Sequence, residues 1–447
     1  MLPGKRARIG LVFAGAVIVA SSGGAAAQVL GPVGPIGGVG VGPVGTVGLP
    51  AGVPSGVPQL PSVTQGVGRA IDGVQNGLLP SIGATVDAAG RPIDQRFLDL
   101  SALGEKVVRG EVLIVEPTAA DLAAAQNLKF RIGQTERLGA LQMQAVALHV
   151  PSGLRAVEAL AILRAADPSG NFDLNHIYDP SGEPLESRAA AAPAAAIAPP
   201  QGLIVGMIDA GIDKRHPALA NDEIIAGNVT GSVSPPPTAH GTAVASLLIG
   251  NDRAFHGQLP GATLYAADVF GGLATGGSAL DIARALDWLA QNHVAVVNAS
   301  LSGPPNKLLA EAVRSFLARG HVLVAAAGNE GPAAAPSYPA AYAGVVGVTS
   351  VDANHRLQID ANRGNVAFAA LGVGVRAATL KRGYDTFTGT SFAAPVVAAR
   401  FALMVRAPDP QAVRDASSRL AKAALRLGEQ AAFGYGYVSP VQLTATQ

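Results

Sequence analysis

The apolar positions of residues 201–447 fall into short unbroken runs separated by helical spacing. GLIVGMIDAG (202–211), ATLYAADVF (262–270), VAVVNASLSG (294–303), HVLVAAAGNEG (321–331) and AGVVGVTSVD (343–352) are rich in β-branched residues and show no polar alternation. SALDIARALDWLAQN (278–292) and KLLAEAVRSFLARG (307–320) carry apolar residues at helical intervals. Strands apolar on both faces that alternate with helices predict an α/β unit, a mostly parallel sheet with helices on both sides. Functional side chains in such sheets gather at the carboxyl ends of the strands.

Upstream the period changes. EVLIVE reads as a strand, TAADLAAAQNL as a helix capped by Thr118 with Asp121 in its first turn, and FRIGQTERLGALQMQAVALHV as two strands about a polar turn. SGLRAVEALAILRAAD is an amphipathic helix and NFDLNHIYD a last strand. This β-α-β-β-α-β order predicts a small α+β ferredoxin-like domain over 101–182, a fold that fixes no activity. Gly, Pro and Val fill much of 28–100 without a Gly at every third place, which excludes collagen and predicts a spacer. An Ala/Pro linker spans 183–200, and the second unit runs over 201–447. At the N-terminus Lys5, Arg6 and Arg8 precede an apolar run and then Ala25-Ala26-Ala27, so residues 1–27 read as a secretory signal. The run is shorter than the ~20 residues that span a bilayer, and the mature chain is expected to be secreted (extracellular, periplasmic or cell-surface) with no membrane span.

Charge and composition narrow the chemistry. Basic and acidic residues number 32 and 31 among 447, so the sequence gives no footprint for nucleic acid. Cysteine is absent, which removes disulfides, thiolate metal sites and thiol nucleophiles. Any nucleophile must be an oxygen. In GTSFAAPVVAAR (389–400) Ser391 precedes an apolar run with Pro395 just inside it, and a Ser in that place is ordinarily an N-cap. Asp209 at the end of its strand can be a turn residue, His240 beside a helix start a structural one, and Asn329 in a Gly-flanked turn a cap. As a set they supply a hydroxyl, an imidazole to take its proton, a carboxylate to orient the imidazole, and an amide to meet a developing oxyanion.

These four stretches resemble the motifs of subtilisin-like serine proteases (the subtilases): DAGID around Asp209, HGTAVAS around His240, AAAGNEG around Asn329 and GTSFAAPVVA around Ser391, in the family's order over about 201–440. The resemblance implies a subtilisin-like fold and an Asp209, His240, Ser391 triad with Asn329 as oxyanion donor. It further implies an S1 pocket walled by Ser300, Leu301, Ser302 and Gly303 and by Ala326, Ala327 and Gly328, and an edge strand at Gly276, Gly277 and Ser278 that takes the substrate backbone. HGQLPGA (256–262) is shorter than the family's usual calcium loop, and Leu371 stands where the family carries Pro. No cofactor is expected, and a structural calcium ion is not indicated. The 101–182 domain resembles the propeptides of such proteases.

The expected function is therefore an exported serine endopeptidase that cuts protein or peptide substrates through an acyl-enzyme. Its own propeptide-like domain is the expected inhibitor and folding assistant, with the cut inside 186–200. The rival reading is a catalytically silent fold serving as a peptide-binding or surface module; retention of all three triad residues and the Asn speaks against it. The small walls of the S1 pocket predict an apolar or permissive preference, with Glu330 at its rim.

Overall fold

The computed structural model describes residue 87 and residues 93–184, 202–232, 235–272, 276–380 and 382–441. The signal, most of the 28–100 spacer and the whole of the 186–200 stretch lie outside the described residues. Of 28–100, residues 98–100 form a strand, so the folded domain begins inside the stretch assigned to the spacer. Three residues are too few for a period to register in the sequence.

The first part of the fold is built from β1 (Leu98–Leu100), β2 (Lys106–Val115), α1 (Ala119–Asn127), β3 (Arg131–Leu138), β4 (Met143–His149), α2 (Ala156–Ala166) and β5 (Phe172–Pro180). The strands run antiparallel in the order β5-β2-β4-β3, with β1 beside β2. Thr118 and Asp121 make a reciprocal capping box that starts α1: the Asp121 N–H donates to Thr118 Oγ1 at 3.2 Å and the Thr118 N–H to Asp121 Oδ2 at 2.7 Å. Strand β2 explains why EVLIVE lacks alternation. Val112 and Ile114 pack with Leu160, Leu163 and Phe172 under the two helices, whereas Leu113 and Val115 face the second part of the chain. Both faces are buried.

A two-residue strand, β6 (Glu183–Pro184), leads out of this domain, inside the stretch assigned to the linker. The second part comprises β7 (Ile204–Asp209), β8 (Ile224–Gly227), α3 (Ala239–Ile249), β9 (Thr263–Asp268), β10 (Gly277–Ser278), α4 (Ala279–Gln291), β11 (Val296–Ala299), β12 (Leu301–Ser302) and α5 (Lys307–Ala318). After them come β13 (Val322–Ala326), β14 (Val346–Val351), β15 (Phe368–Leu371), β16 (Val375–Ala378), β17 (Tyr384–Thr388), α6 (Thr390–Met404), α7 (Pro410–Ala423) and α8 (Gln430–Phe433). Seven strands form one parallel sheet in the order β15-β14-β13-β11-β7-β9-β8. Successive residues enter opposite cores: Val205, Met207, Val296 and Val324 pack with α3 and α6, and Ile208, Val297, Leu323 and Ala325 with α4 and α5. That two-sided burial is the sheet expected from the unbroken apolar runs. Among the described residues no helix is long and apolar enough to cross a membrane.

Candidate active site

The parallel sheet brings the carboxyl ends of β7 and β13 to one end of the sheet, where α3 and α6 start. Asp209 is the last residue of β7. His240 lies in the first turn of α3, whose N-cap is Thr238: its hydroxyl accepts the Gly241 N–H at 3.0 Å. Gly241 has no room for a side chain, since a Cβ there would lie 2.4 Å from the Ala210 carbonyl. The close approach of α3 to β7 sets His240 Nδ1 2.9 Å from Asp209 Oδ1, which also accepts the Ala210 N–H at 2.7 Å. Asp209, His240 and Ser391 are 1%, 8% and 0% exposed, so the contact is shielded from solvent screening. His240 Nε2 is buried with no partner among the described residues.

Ser391 is not a helix cap. Helix α6 starts at Thr390 with Gly389 as N-cap and no side-chain capping bond. The Ser391 hydroxyl instead donates to the Ser300 carbonyl at 3.1 Å and makes no hydrogen bond to His240 Nε2. Pro395 has no N–H to give to the carbonyl four residues back, and the Ser300 hydroxyl donates to that Ser391 carbonyl at 2.9 Å. Ser300 and Ser391 thus hold each other in both directions.

Asn329 follows β13 in a turn, and its Oδ1 accepts the Thr390 N–H at 3.0 Å and Gln358 Nε2 at 3.1 Å. Both donors fix the amide so that Nδ2 is the free end, and Nδ2 is buried without a partner. A Cβ at Gly389, φ 153°, would lie 2.9 Å from the Ser181 carbonyl oxygen and 3.4 Å from Asn329 Nδ2. The Ser391 N–H donates to that same Ser181 oxygen at 3.1 Å. Two donors and a carbonyl therefore share one small polar space, and only glycine leaves it open.

The chain that enters this space is the end of the first domain. Tyr178 and Ile177 pair antiparallel with Gly277 and Ser278 of β10, and Pro180 and Asp179 with Leu301 and Ser302 of β12. The Ser181 N–H donates to the Ser300 carbonyl at 3.2 Å, and Glu183 and Pro184 pair with Thr388 and Phe387 of β17. Gly276, φ 104°, has no space for a Cβ because the Tyr178 carbonyl would be 2.6 Å away. Of the walls named from the sequence, Ser300 to Gly303 border this segment, and Ala326, Ala327 and Gly328 lead from β13 into the turn that holds Asn329. Ser302 Oγ and Asn362 Nδ2 donate to Glu330, at 3.3 and 2.7 Å, and tie its carboxylate across Gly328.

Some neighbours went unnamed from the sequence. Asp268 ends β9 directly beside Asp209 in register. Burial pushes its carboxyl up, against two N–H donors from Phe270 and Gly271, and the nearby Asp209 charge adds to the rise. An acid closing an apolar strand, as Asp209 does, was the available clue. Gln358 sits in a turn that no periodicity marks. Phe392, whose ring centroid is 5.4 Å from that of His240, reads in sequence as one more apolar helix residue.

Comparison with protein families matches residues 200–436 to the Subtilase family. Subtilisin Savinase of Lederbergia lenta is 34% identical over 250 residues, which are 53% of this chain and 89% of the relative. Subtilisin E of Bacillus subtilis (strain 168) is 31% identical over 251 residues, 53% of this chain and 64% of that protein. Among solved structures, fervidolysin of Fervidobacterium pennivorans, described as a keratinolytic enzyme related to subtilisin, aligns with a TM-score of 0.61 at 20% identity over 77% of this chain and 62% of its own, a likeness of fold. The chain belongs to the subtilase family and is a subtilisin-like serine endopeptidase.

Proposed function

We propose that the enzyme hydrolyses peptide bonds with Ser391 as nucleophile, His240 as general base and then acid, Asp209 as the group that orients and stabilises the imidazolium, and Asn329 with the Ser391 N–H as the oxyanion donors. One observation carries the reading: a peptide carbonyl, that of Ser181, already sits on the Ser391 N–H beside the free Asn329 amide. Rotation about χ1 turns Ser391 Oγ from the Ser300 carbonyl toward His240 Nε2. Attack on a carbonyl carbon then moves the hydroxyl proton to Nε2, and the negative charge forms between the two donors. The reaction so written needs no cofactor. The signal-like N-terminus supports export, and the first domain, whose tail fills the cleft like a substrate, is read as an inhibitory propeptide and the enzyme's own first partner.

Active-site labelling tests this. A fluorophosphonate is expected to modify Ser391 in the processed protein, and Ser391→Ala to abolish both labelling and cleavage of casein. Asn329→Ala is expected to lower kcat about 100-fold or more with KM little changed, because its bond forms in the transition state. An unlabelled Ser391 in processed protein favours the silent peptide-binding module instead.

A further inference from the structure

We propose that Asp268 is a positioning residue of the catalytic centre: its carboxylate, set beside that of Asp209, adds a second negative charge behind the imidazolium formed during catalysis and so sets the lower edge of the enzyme's working pH range. This role rests on the proposed triad and deepens it. Strands β7 and β9 run parallel, with their last residues, Asp209 and Asp268, as partners. Alternation along each strand puts both side chains on one face of the sheet. Val205 and Met207 of β7 and Leu264 and Ala266 of β9 enter the core shared with α3, and Asp209 and Asp268 continue those two rows. Helix α3, which carries His240, covers that face.

Each carboxylate has one oxygen in use and one without a partner. Asp209 Oδ1 accepts His240 Nδ1–H at 2.9 Å and the Ala210 N–H at 2.7 Å, and Asp268 Oδ1 accepts the N–H groups of Phe270 and Gly271 at 2.8 and 3.0 Å. Oδ2 of both is buried and unpaired among the described residues. Asp268 Oδ2 lies against Gly211, where a Cβ would be 3.2 Å from it. The Gly211 carbonyl in turn accepts the N–H of Thr238, the N-cap of α3, at 2.8 Å. The unpaired oxygen thus rests on the backbone that joins Asp209 to the helix of His240.

Forming a turn accounts for only half of this arrangement. The two N–H groups after β9 need an acceptor, and the side-chain oxygen of an asparagine would serve them as well. The turn makes no use of the charge. The neighbouring cations are engaged elsewhere: Lys214, in the turn after β7, donates to the Ile224 carbonyl at 3.0 Å, Arg215 pairs with Asp213, and Arg284 of α4 pairs with Asp281 at 2.9 Å. Strand β8 carries no titratable residue, and His240 is the one such residue of α3. The Asp268 charge is left to act on Asp209 and, beyond it, on the imidazole. Burial pushes the Asp268 carboxyl up and the charges of Asp209 and Asp281 push it further, so the two strand-end carboxylates feel each other. The coupling is reciprocal, and a positive charge formed beside Asp209 is favoured by both.

The test is the pH profile of kcat/KM for processed enzyme on a chromogenic peptide without ionisable groups. Asp268→Asn keeps the acceptor for Phe270 and Gly271 and removes the charge. Its acid limb, where the base of the free enzyme takes up a proton, is expected about 0.5 unit below that of wild type, so the variant is about 3-fold faster on that limb. At the alkaline plateau it is expected to be about 2-fold slower, because the imidazolium of the transition state has lost a favourable charge. The two profiles therefore cross. At still lower pH the gain fades, as Asp268 of the wild type takes up its own proton. Asp268→Leu, which lacks the acceptor as well, is expected to move the limb as far and to lose more at the plateau. A residue that only shaped the turn would lower the profile equally at every pH, and parallel profiles overturn this role. So does an acid limb that stays in place or moves up. A wild-type enzyme that neither takes up fluorophosphonate at Ser391 nor cleaves casein overturns instead the reading on which it rests.

Discussion

Gln358 bears on the proposed chemistry through Asn329. Its Nε2 donates to Asn329 Oδ1 at 3.1 Å, and its own Oε1 is buried without a partner. An amide can turn over and present oxygen where nitrogen is needed, and two donors on Oδ1 oppose that exchange. Gln358 is thus a positioning residue. Gln358→Leu keeps the bulk and removes the unpaired oxygen, so stability is expected to hold or rise slightly. The expected result is a fall in kcat of about 10-fold with KM little changed. In an Asn329→Ala background the same substitution is expected to have no further effect on kcat. A residue that only shaped the loop would cost the same in both backgrounds, so the double-mutant cycle separates the two roles.

Helices α4 and α5 begin against β5, and their first N–H groups need acceptors. Asp173 Oδ2 takes the Lys307 N–H of α5 at 2.7 Å, and Asn175 Oδ1 takes the Leu280 N–H of α4 at 3.3 Å. The carboxylate also meets the positive end of α5. Asp173→Ala is therefore expected to weaken the hold of the first domain by about 1 kcal/mol, seen as a shorter lag before activity appears in the purified full chain. A second element-level prediction concerns the turn before β8, where burial raises the Asp222 carboxyl from 3.8 to about 7 and leaves Oδ2 without a partner. A folded pKa above the unfolded one means that the native state binds the extra proton, so this group costs stability progressively as pH rises from about 4 to about 7. Asp222→Asn is expected to raise Tm at pH 8 and to change it little below pH 4. These elements also mark what the sequence made legible. Unbroken apolar runs revealed the strands of the parallel sheet, and Thr118 with Asp121 revealed the start of α1, because burial and capping leave local traces. Strands β1, β6, β10 and β12 have two or three residues and exist only through their partners. Helices α4 and α5 have local N-caps in Ser278 and Asn306, but the further acceptors Asn175 and Asp173 lie over 100 positions away, and no local pattern announces them. Ser391 taken alone reads as a cap, and it stands out only in the set with Asp209, His240 and Asn329; its partner Ser300 is distant in the chain.

On the scale of the whole molecule, the two parts of the chain differ in how far apart their contacting residues lie in sequence. The first domain pairs β3 with β4 across a short turn and has a core of its own in Ile114, Leu148, Leu160 and Phe172. The parallel sheet joins β7 to β11 and β9, so nearly every pairing closes a long loop. Such pairings form slowly, because loop entropy is lost before contacts repay it. The face of the first sheet carrying Leu113, Val115 and Met143 packs in one core with Leu286, Leu289 and Phe316 of α4 and α5. It thereby sets side by side two helices whose strands must still find their order. If those contacts form in the transition state, they accelerate folding; if they form later, they only slow unfolding. The side-by-side placement of α4 and α5 favours the first case. Processed enzyme, denatured and diluted, is expected to recover activity at least about 10-fold faster when fragment 93–181 is added, the change that ~1.4 kcal/mol off the barrier produces. A fragment carrying Leu113→Asp, which keeps the Asp173 and Asn175 caps but spoils the shared core, is expected to give little acceleration. Equal recovery with and without the wild-type fragment would show that the first domain does not help to build the enzyme.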